Sequence, residues 1–268
     1  MLYYIEKQPP SADAHAPVVV FLHGILGTAR NLTRLVEAAA AAGFHAIALD
    51  QRGHGKSPHA AEYSLESFAG DVVAFLDSKN ITKAHIVGHS MGARVALTTT
   101  GLYPARVLSL TMLDAGMRLD ENALETIREI IFPLPESFAN KTDADAFLMR
   151  FPASIRLWLQ SNLKSQSQTS ALTWVFDLKG LREQLLTNAS KGLRIDQHFV
   201  FSQIKCPILI VRGGQSKHFS VEAVEEMLRT NPNAESATVS NAGHWLHADN
   251  PIETSEVVIG FLKKISPR

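Results

Sequence analysis

Runs of consecutive apolar residues alternate with amphipathic stretches through the first part of the chain, and this pattern restricts the fold more than any other feature. Ala16-Pro-Val-Val-Val-Phe-Leu22 carries no polar residue at alternate positions. Such a run fits a strand covered on both faces, as in a parallel sheet, and not a half-solvated strand of a hairpin. Asn31 to Ala42 is rich in Ala and Leu and stops at Gly43, a helix with a glycine just past its end. Phe44 to Leu49 is a second buried strand. Ser64 caps a helix to about Ser78, with Leu65, Phe68, Val72, Phe75 and Leu76 on one stripe. His85 to Gly88 reads as a strand, Met91 to about Tyr103 as a helix, and Val107 to Leu113 as another strand.

From Ala115 to about Ser202 the pattern changes. No buried strand is expected there, only helical stretches at Glu121–Ile131, Asp143–Phe151, Ser154–Leu163 and Leu181–Ala189. Strand–helix alternation resumes with Pro207-Ile-Leu-Ile-Val211, a helix from Val221 to Arg229, a strand near Ser236–Val239 and a helix from Ile252 to Lys264. Alternation of this kind implies an α/β fold, a mostly parallel sheet with helices on both faces. A helical block between two sheet segments reads as an insertion, a lid over residues 115–203, with the core split into 1–114 and 204–268.

Composition removes other classes. The chain has 268 residues, 26 Lys and Arg against 26 Asp and Glu, and one cysteine. A nucleic-acid binder would show a basic excess, so no nucleic acid is expected as partner. Cys206 cannot form an internal disulfide, and no paired-cysteine metal motif exists. Met1 to Lys7 has no leader pattern, and the apolar runs fall short of the roughly 20 residues that span a bilayer. The expectation is a soluble, cytoplasmic protein of unread oligomeric state.

Gly88-His89-Ser90-Met91-Gly92 lies between a strand and a helix. A sharp turn there forces Ser90 into an unusual backbone conformation and lifts its hydroxyl above the sheet, with glycines where neighbouring backbone must pass. A serine hydroxyl needs a base, and the base needs an orienting acid. His244, in Asn241-Ala-Gly-His-Trp245 after the last predicted strand, reaches the same sheet edge as Ser90. His247 is read as structural, since neither carboxylate nor cysteine completes a zinc site beside it.

With these residues in view, the chain resembles the α/β-hydrolase fold family. The resemblance runs through His23-Gly24-Ile25-Leu26-Gly27, Asp50-Gln-Arg-Gly-His-Gly-Lys-Ser57, Gly88–Gly92 and Gly243-His244-Trp245. It implies an oxyanion hole from the backbone N–H groups of Ile25 and Met91, which fits donors aimed where negative charge develops. Many members carry the acid after the next-to-last strand, but Gln215, Ser216 and Lys217 stand there. Asp114, at the end of Val107–Leu113, is the candidate acid. Leu113-Asp114-Ala115 and Ala242-Gly-His-Trp-Leu-His-Ala248 resemble a subgroup typified by the bacterial esterase YbfF and the mammalian ABHD11 type, which use an Asp at this strand end.

The implied activity is a serine hydrolase on small to medium esters or thioesters, without cofactor or metal, its partner a small acyl substrate. Carbon–carbon bond hydrolysis, cofactor-free perhydrolysis and a non-catalytic ligand receptor stay open on the same fold. His23, Trp245 and Trp158 are candidates for substrate contact; His23 has a second reading, holding its loop in shape. Phe132, Phe138, Phe147, Phe151, Trp158, Trp174 and Phe176 line an acyl pocket or fill the lid's own core. Asp50 and Arg52 are expected to fix a turn through an internal ion pair and hydrogen bonds, Asp71 to sit on an exposed helix face, Lys217 to be solvated, and Cys206 to be a buried or loop thiol.

Overall fold

The computed structural model describes residues 1–10, 15–118, 121–166, 169–186 and 196–266. In chain order its strands are β1 (Tyr4–Lys7), β2 (Val18–Leu22), β3 (His45–Leu49), β4 (Ala84–His89), β5 (Val107–Leu113), β6 (Ser137–Phe138), β7 (Leu163–Ser165), β8 (Leu172–Trp174), β9 (Ile208–Gly213) and β10 (Ala234–Val239). The helices are α1 (Thr33–Ala41), α2 (Leu65–Ser78), α3 (Met91–Leu102), α4 (Glu121–Ile131), α5 (Lys141–Leu148), α6 (Ala153–Ser161), α7 (Gln197–Gln203), α8 (Val221–Thr230), α9 (Leu246–Asp249) and α10 (Pro251–Ile265).

The main sheet has seven strands in the order β1-β3-β2-β4-β5-β9-β10. Every pair is parallel except β1 with β3. The sequence reading did not assign β1, because Tyr4-Ile-Glu-Lys is a short edge strand with no turn signal to mark it. Val19, Val20, Phe21 and Leu22 are fully buried, which is why that run contains no polar residue. Successive side chains enter different cores, Val20 and Leu22 on one face and Val19 and Phe21 on the other.

Helix α2 forms where its stripe predicts. Ser64 Oγ accepts from Ser67 N at 3.2 Å, and Leu65, Phe68, Val72, Phe75 and Leu76 are buried. Each such burial contributes roughly 1.5–3 kcal/mol. Helix α1 is preceded by a 3-10 turn at Ala29–Leu32, so the expected start at Asn31 falls inside that turn.

The segment between β5 and β9 is not all helical. It contains a second sheet of three short antiparallel strands, β6-β8-β7. These strands are too short for their alternation to stand out, and β7 and β8 flank the polar run that reads as a break. Leu181–Leu186 is a single π-type turn, and residues 187–189 of the helix expected there lie outside the described residues. Among the contacts that tie the segment to the main sheet's loops, Asp177 N donates to Gly53 O at 2.7 Å, and Tyr63 Oη donates to Asp177 Oδ2 at 2.7 Å. Trp174 and Phe176 stack at 5.2 Å and are buried with Phe138; Phe147 and Phe151 are partly buried. Phe132 is corrected: it is 52% exposed and so does not fill the lid's core.

Candidate active site

Ser90 joins β4 to α3 with φ 54° and ψ −116°, a conformation that costs an ordinary residue about 1–3 kcal/mol. Two glycines permit the crossing. A Cβ on Gly88 would sit 2.1 Å from Gly92 O, and one on Gly92 would sit 2.3 Å from Leu22 O. The turn is further held by Ser90 N, which donates to Leu113 O at 3.0 Å.

Ser90 Oγ lies 3.0 Å from His244 Nε2, and His244 Nδ1 lies 2.8 Å from Asp114 Oδ2. An ionised carboxylate can only accept, so Nδ1 carries the proton and Nε2 presents its lone pair to the serine hydroxyl. Asp114 is 1% exposed and follows β5 with φ 49°. Its Oδ1 accepts from Gly213 N at 2.9 Å, and its Oδ2 also accepts from Ser216 Oγ at 2.6 Å. Ser216, in the loop where many family members carry the acid, therefore holds the Asp114 carboxylate placed one strand away. That function escapes a reading by motif, although a hydroxyl at this sheet edge is a signal.

His244 is positioned from several sides. His89 Nε2–H donates to His244 O at 2.8 Å, their ring centroids 4.9 Å apart. A Cβ on Gly213 would sit 2.1 Å from Gly243 O, so the loop bearing His244 lies directly against the end of β9. Gly243 N donates to Asp249 Oδ2 at 2.9 Å. His247 is buried, packs on His89 at 4.5 Å and leaves its Nδ1 without a hydrogen bond.

The loop after β2 abuts the serine: a Cβ on Gly24 would sit 2.9 Å from His89 Nδ1 and 3.3 Å from Ser90 Cβ. Ile25 follows Gly24. Leu26, at φ 59°, donates its N–H to His54 Nε2 at 3.1 Å, and Gly27 N donates to Gly24 O at 3.0 Å. Met91 is the first residue of α3, where an amide has no partner within the helix.

His23 takes the second of its two readings. It is 1% exposed; Nε2 accepts from Gln51 N at 3.0 Å and Nδ1–H donates to Gly24 O at 2.8 Å, leaving no nitrogen for a substrate. Burial lowers the pKa of His23 to about 4 and, with the neighbouring His23 charge, that of His54 to about 3. Burial likewise lowers His247 to about 4 and His89 well below its usual value, in both cases helped by repulsion from nearby histidines. Trp245 packs against His244 at 5.8 Å and against Trp158 at 5.7 Å.

Two smaller expectations are corrected. Asp50 and Arg52 do not pair with each other, though the expected hydrogen bonds hold the turn: Asp50 accepts from Ala29 N and Lys56 N at 2.7 and 2.8 Å. Arg52 instead grips Asp71 at 2.6 and 2.8 Å, so Asp71 is a half-buried partner and not a free surface charge. Lys217 is exposed, and Cys206 is a half-buried loop thiol whose pKa burial raises to about 11. Among the described residues no three His, Cys, Asp or Glu side chains group to hold a metal, and no helix is long and apolar enough to cross a membrane.

Comparison with known proteins agrees with this architecture. The family model described as alpha/beta hydrolase fold matches residues 17–251. The sn-1-specific diacylglycerol lipase ABHD11 of Mus musculus is 30% identical over 265 residues, covering 93% of this chain and 82% of that protein. Esterase YbfF of Escherichia coli is 29% identical over 238 residues, covering 87% and 88%. A solved marine microorganism esterase superposes with a TM-score of 0.81 at 24% identity, covering 99% of both chains.

Proposed function

The chain belongs to the α/β-hydrolase fold family, and from that premise we propose that it is a serine hydrolase of carboxylic esters or thioesters. The observation that carries the reading is the hydrogen-bonded sequence Ser90–His244–Asp114 at 3.0 and 2.8 Å. The names of its relatives, a lipase and an esterase, point the same way.

In the proposed reaction Ser90 Oγ attacks the acyl carbon while His244 Nε2 takes the hydroxyl proton. Asp114 keeps the imidazole in the required tautomer and stabilises its cation. The amides of Ile25 and Met91 receive the oxyanion of the tetrahedral intermediate, a contribution of about 3–4 kcal/mol per donor in comparable sites. His244 then protonates the leaving alkoxide or thiolate. Water, activated by the same nitrogen, releases the acid from the acyl-enzyme. Residues 115–203 serve as the lid between core segments 1–114 and 204–268, and Trp158 and Trp245 form one wall of the acyl site. The proposed substrate is a small molecule and the proposed setting the cytoplasm.

A fluorophosphonate probe is expected to label the protein at Ser90, with p-nitrophenyl acetate hydrolysed well above a Ser90→Ala control. Absence of both labelling and turnover would overturn the reading in favour of a non-catalytic receptor. A series of p-nitrophenyl esters from short to long acyl chains, run beside a thioester, is expected to peak at short to medium length. Substitution of Trp158 by alanine is expected to move that peak while leaving labelling of Ser90 intact.

A further inference from the structure

The corner between α5 and α6 carries the two most exposed large apolar side chains among the described residues of the inserted segment. Met149 is 66% and Leu157 63% exposed, and Pro152 and Ala153 between them are exposed as well. Arg156 Nη1 lies 3.0 Å from Met149 Sδ, so the end of α5 and the start of α6 present one continuous surface. Arg150 is exposed beside it, its guanidinium 3.7 Å from the Phe147 ring and its Nε donating to Phe147 O at 3.1 Å.

Charge from the end of α5 onward is one-sided. From Ala146 to Phe176 the chain has Arg150, Arg156 and Lys164 but no Asp or Glu, within a molecule of zero net charge. The nearest carboxylate in sequence, Asp145, is engaged by Lys141 Nζ at 2.5 Å and Gln160 Nε2 at 2.8 Å.

We propose that this corner docks on an anionic lipid surface. Long unbranched or γ-branched apolar side chains beside arginines are the elements of an interfacial anchor: the chains enter the headgroup boundary and the cations meet lipid phosphates. A protein partner fits less well. A stable protein interface covers about 800 Å² on each side, far more than two exposed apolar side chains offer. The placement also has meaning for the site. Trp158 follows Leu157 on α6 and packs at 5.7 Å on Trp245, which packs at 5.8 Å on His244. Lipid bound at this corner would lie next to the aromatic side of the candidate active site. The proposal does not depend on ester hydrolysis, because binding is measured without turnover.

The test is co-sedimentation of the full chain with vesicles of phosphatidylcholine alone and of phosphatidylcholine containing a third phosphatidylglycerol. Each arginine near an anionic surface raises partitioning about fivefold, so the anionic vesicles should bind roughly twentyfold more strongly, and less so at high salt. Met149→Ser with Leu157→Ser should lower binding to anionic vesicles about tenfold or more. Arg150→Gln with Arg156→Gln should abolish the preference for anionic lipid. Hydrolysis of soluble p-nitrophenyl acetate should not change in either variant. Failure of the unaltered chain to bind anionic vesicles, equal binding to both vesicle types, or full binding by the serine variant would each overturn the proposal. So would a shift in molar mass by light scattering with no loss of vesicle binding, which would make the corner a contact between copies of the chain. The arginine variant keeps the test decisive if the serine variant does not fold.

Discussion

Asp114→Asn is expected to lower kcat/KM for p-nitrophenyl acetate by about 10⁴-fold while the protein stays folded. The present carboxylate accepts at both oxygens, from Gly213 N, from Ser216 Oγ and from His244 Nδ1. An amide keeps one acceptor for Gly213 but turns an NH₂ toward the imidazole. His244 then favours the tautomer with a bare Nδ1, and its Nε2–H can no longer take a proton from Ser90. Asp50→Asn is the informative companion. Both Asp50 oxygens serve backbone amides of Ala29 and Lys56, so that change should lower stability and leave the chemistry of the folded fraction nearly intact. If Asp50→Asn abolished turnover and Asp114→Asn did not, the assignment of the acid would fail.

Acidification should unfold the protein well before the carboxylates titrate. His23, His85 and His247 are held near 4 and His54 near 3 by burial, against about 6.5 in an unfolded chain. The native state therefore binds fewer protons than the unfolded one in this window, and stability falls as pH drops below 6.5. The loss continues until the native values are passed, near 4 and below. A single histidine of this kind removes about 2.5 kcal/mol by pH 4.5. Two or three would consume most of the roughly 5–15 kcal/mol that holds a domain together. Urea midpoints should thus be flat at and above pH 7 and decline steeply from 6.5 to 4.5. A midpoint unchanged at pH 4.5 would mean that these side chains find proton-accepting partners or open readily to water.

The parts of the fold legible beforehand were those with strong periodicity. The β2 run and the α2 stripe repeat over enough residues to fix both element type and buried face. Ser90, His244 and Asp114 stood out because each follows a strand at one sheet edge, where short motifs mark the turns. What escaped was set by distant partners. Arg52 passes over Asp50, two residues away, for Asp71 on α2, because the Asp50 oxygens are already used by backbone amides. Ser216 and His89 act through hydrogen bonds to groups more than a hundred residues distant, which no local spacing encodes. The small sheet β6-β8-β7 escaped because strands of two or three residues carry too little pattern.

Ser90 and Asp114 leave neighbouring strands that pair directly, His89 opposite Leu113, with Ser90 N bonded to Leu113 O. Their separation is therefore written as a pairing register, which changes in whole steps. Sliding β5 by one residue would move Asp114 about 3.3 Å along the sheet and turn its side chain to the opposite face. No intermediate setting exists in which the carboxylate is slightly out of reach. Misalignment in this half of the site is all or nothing, and gradual tuning is left to the separate loop that delivers the imidazole.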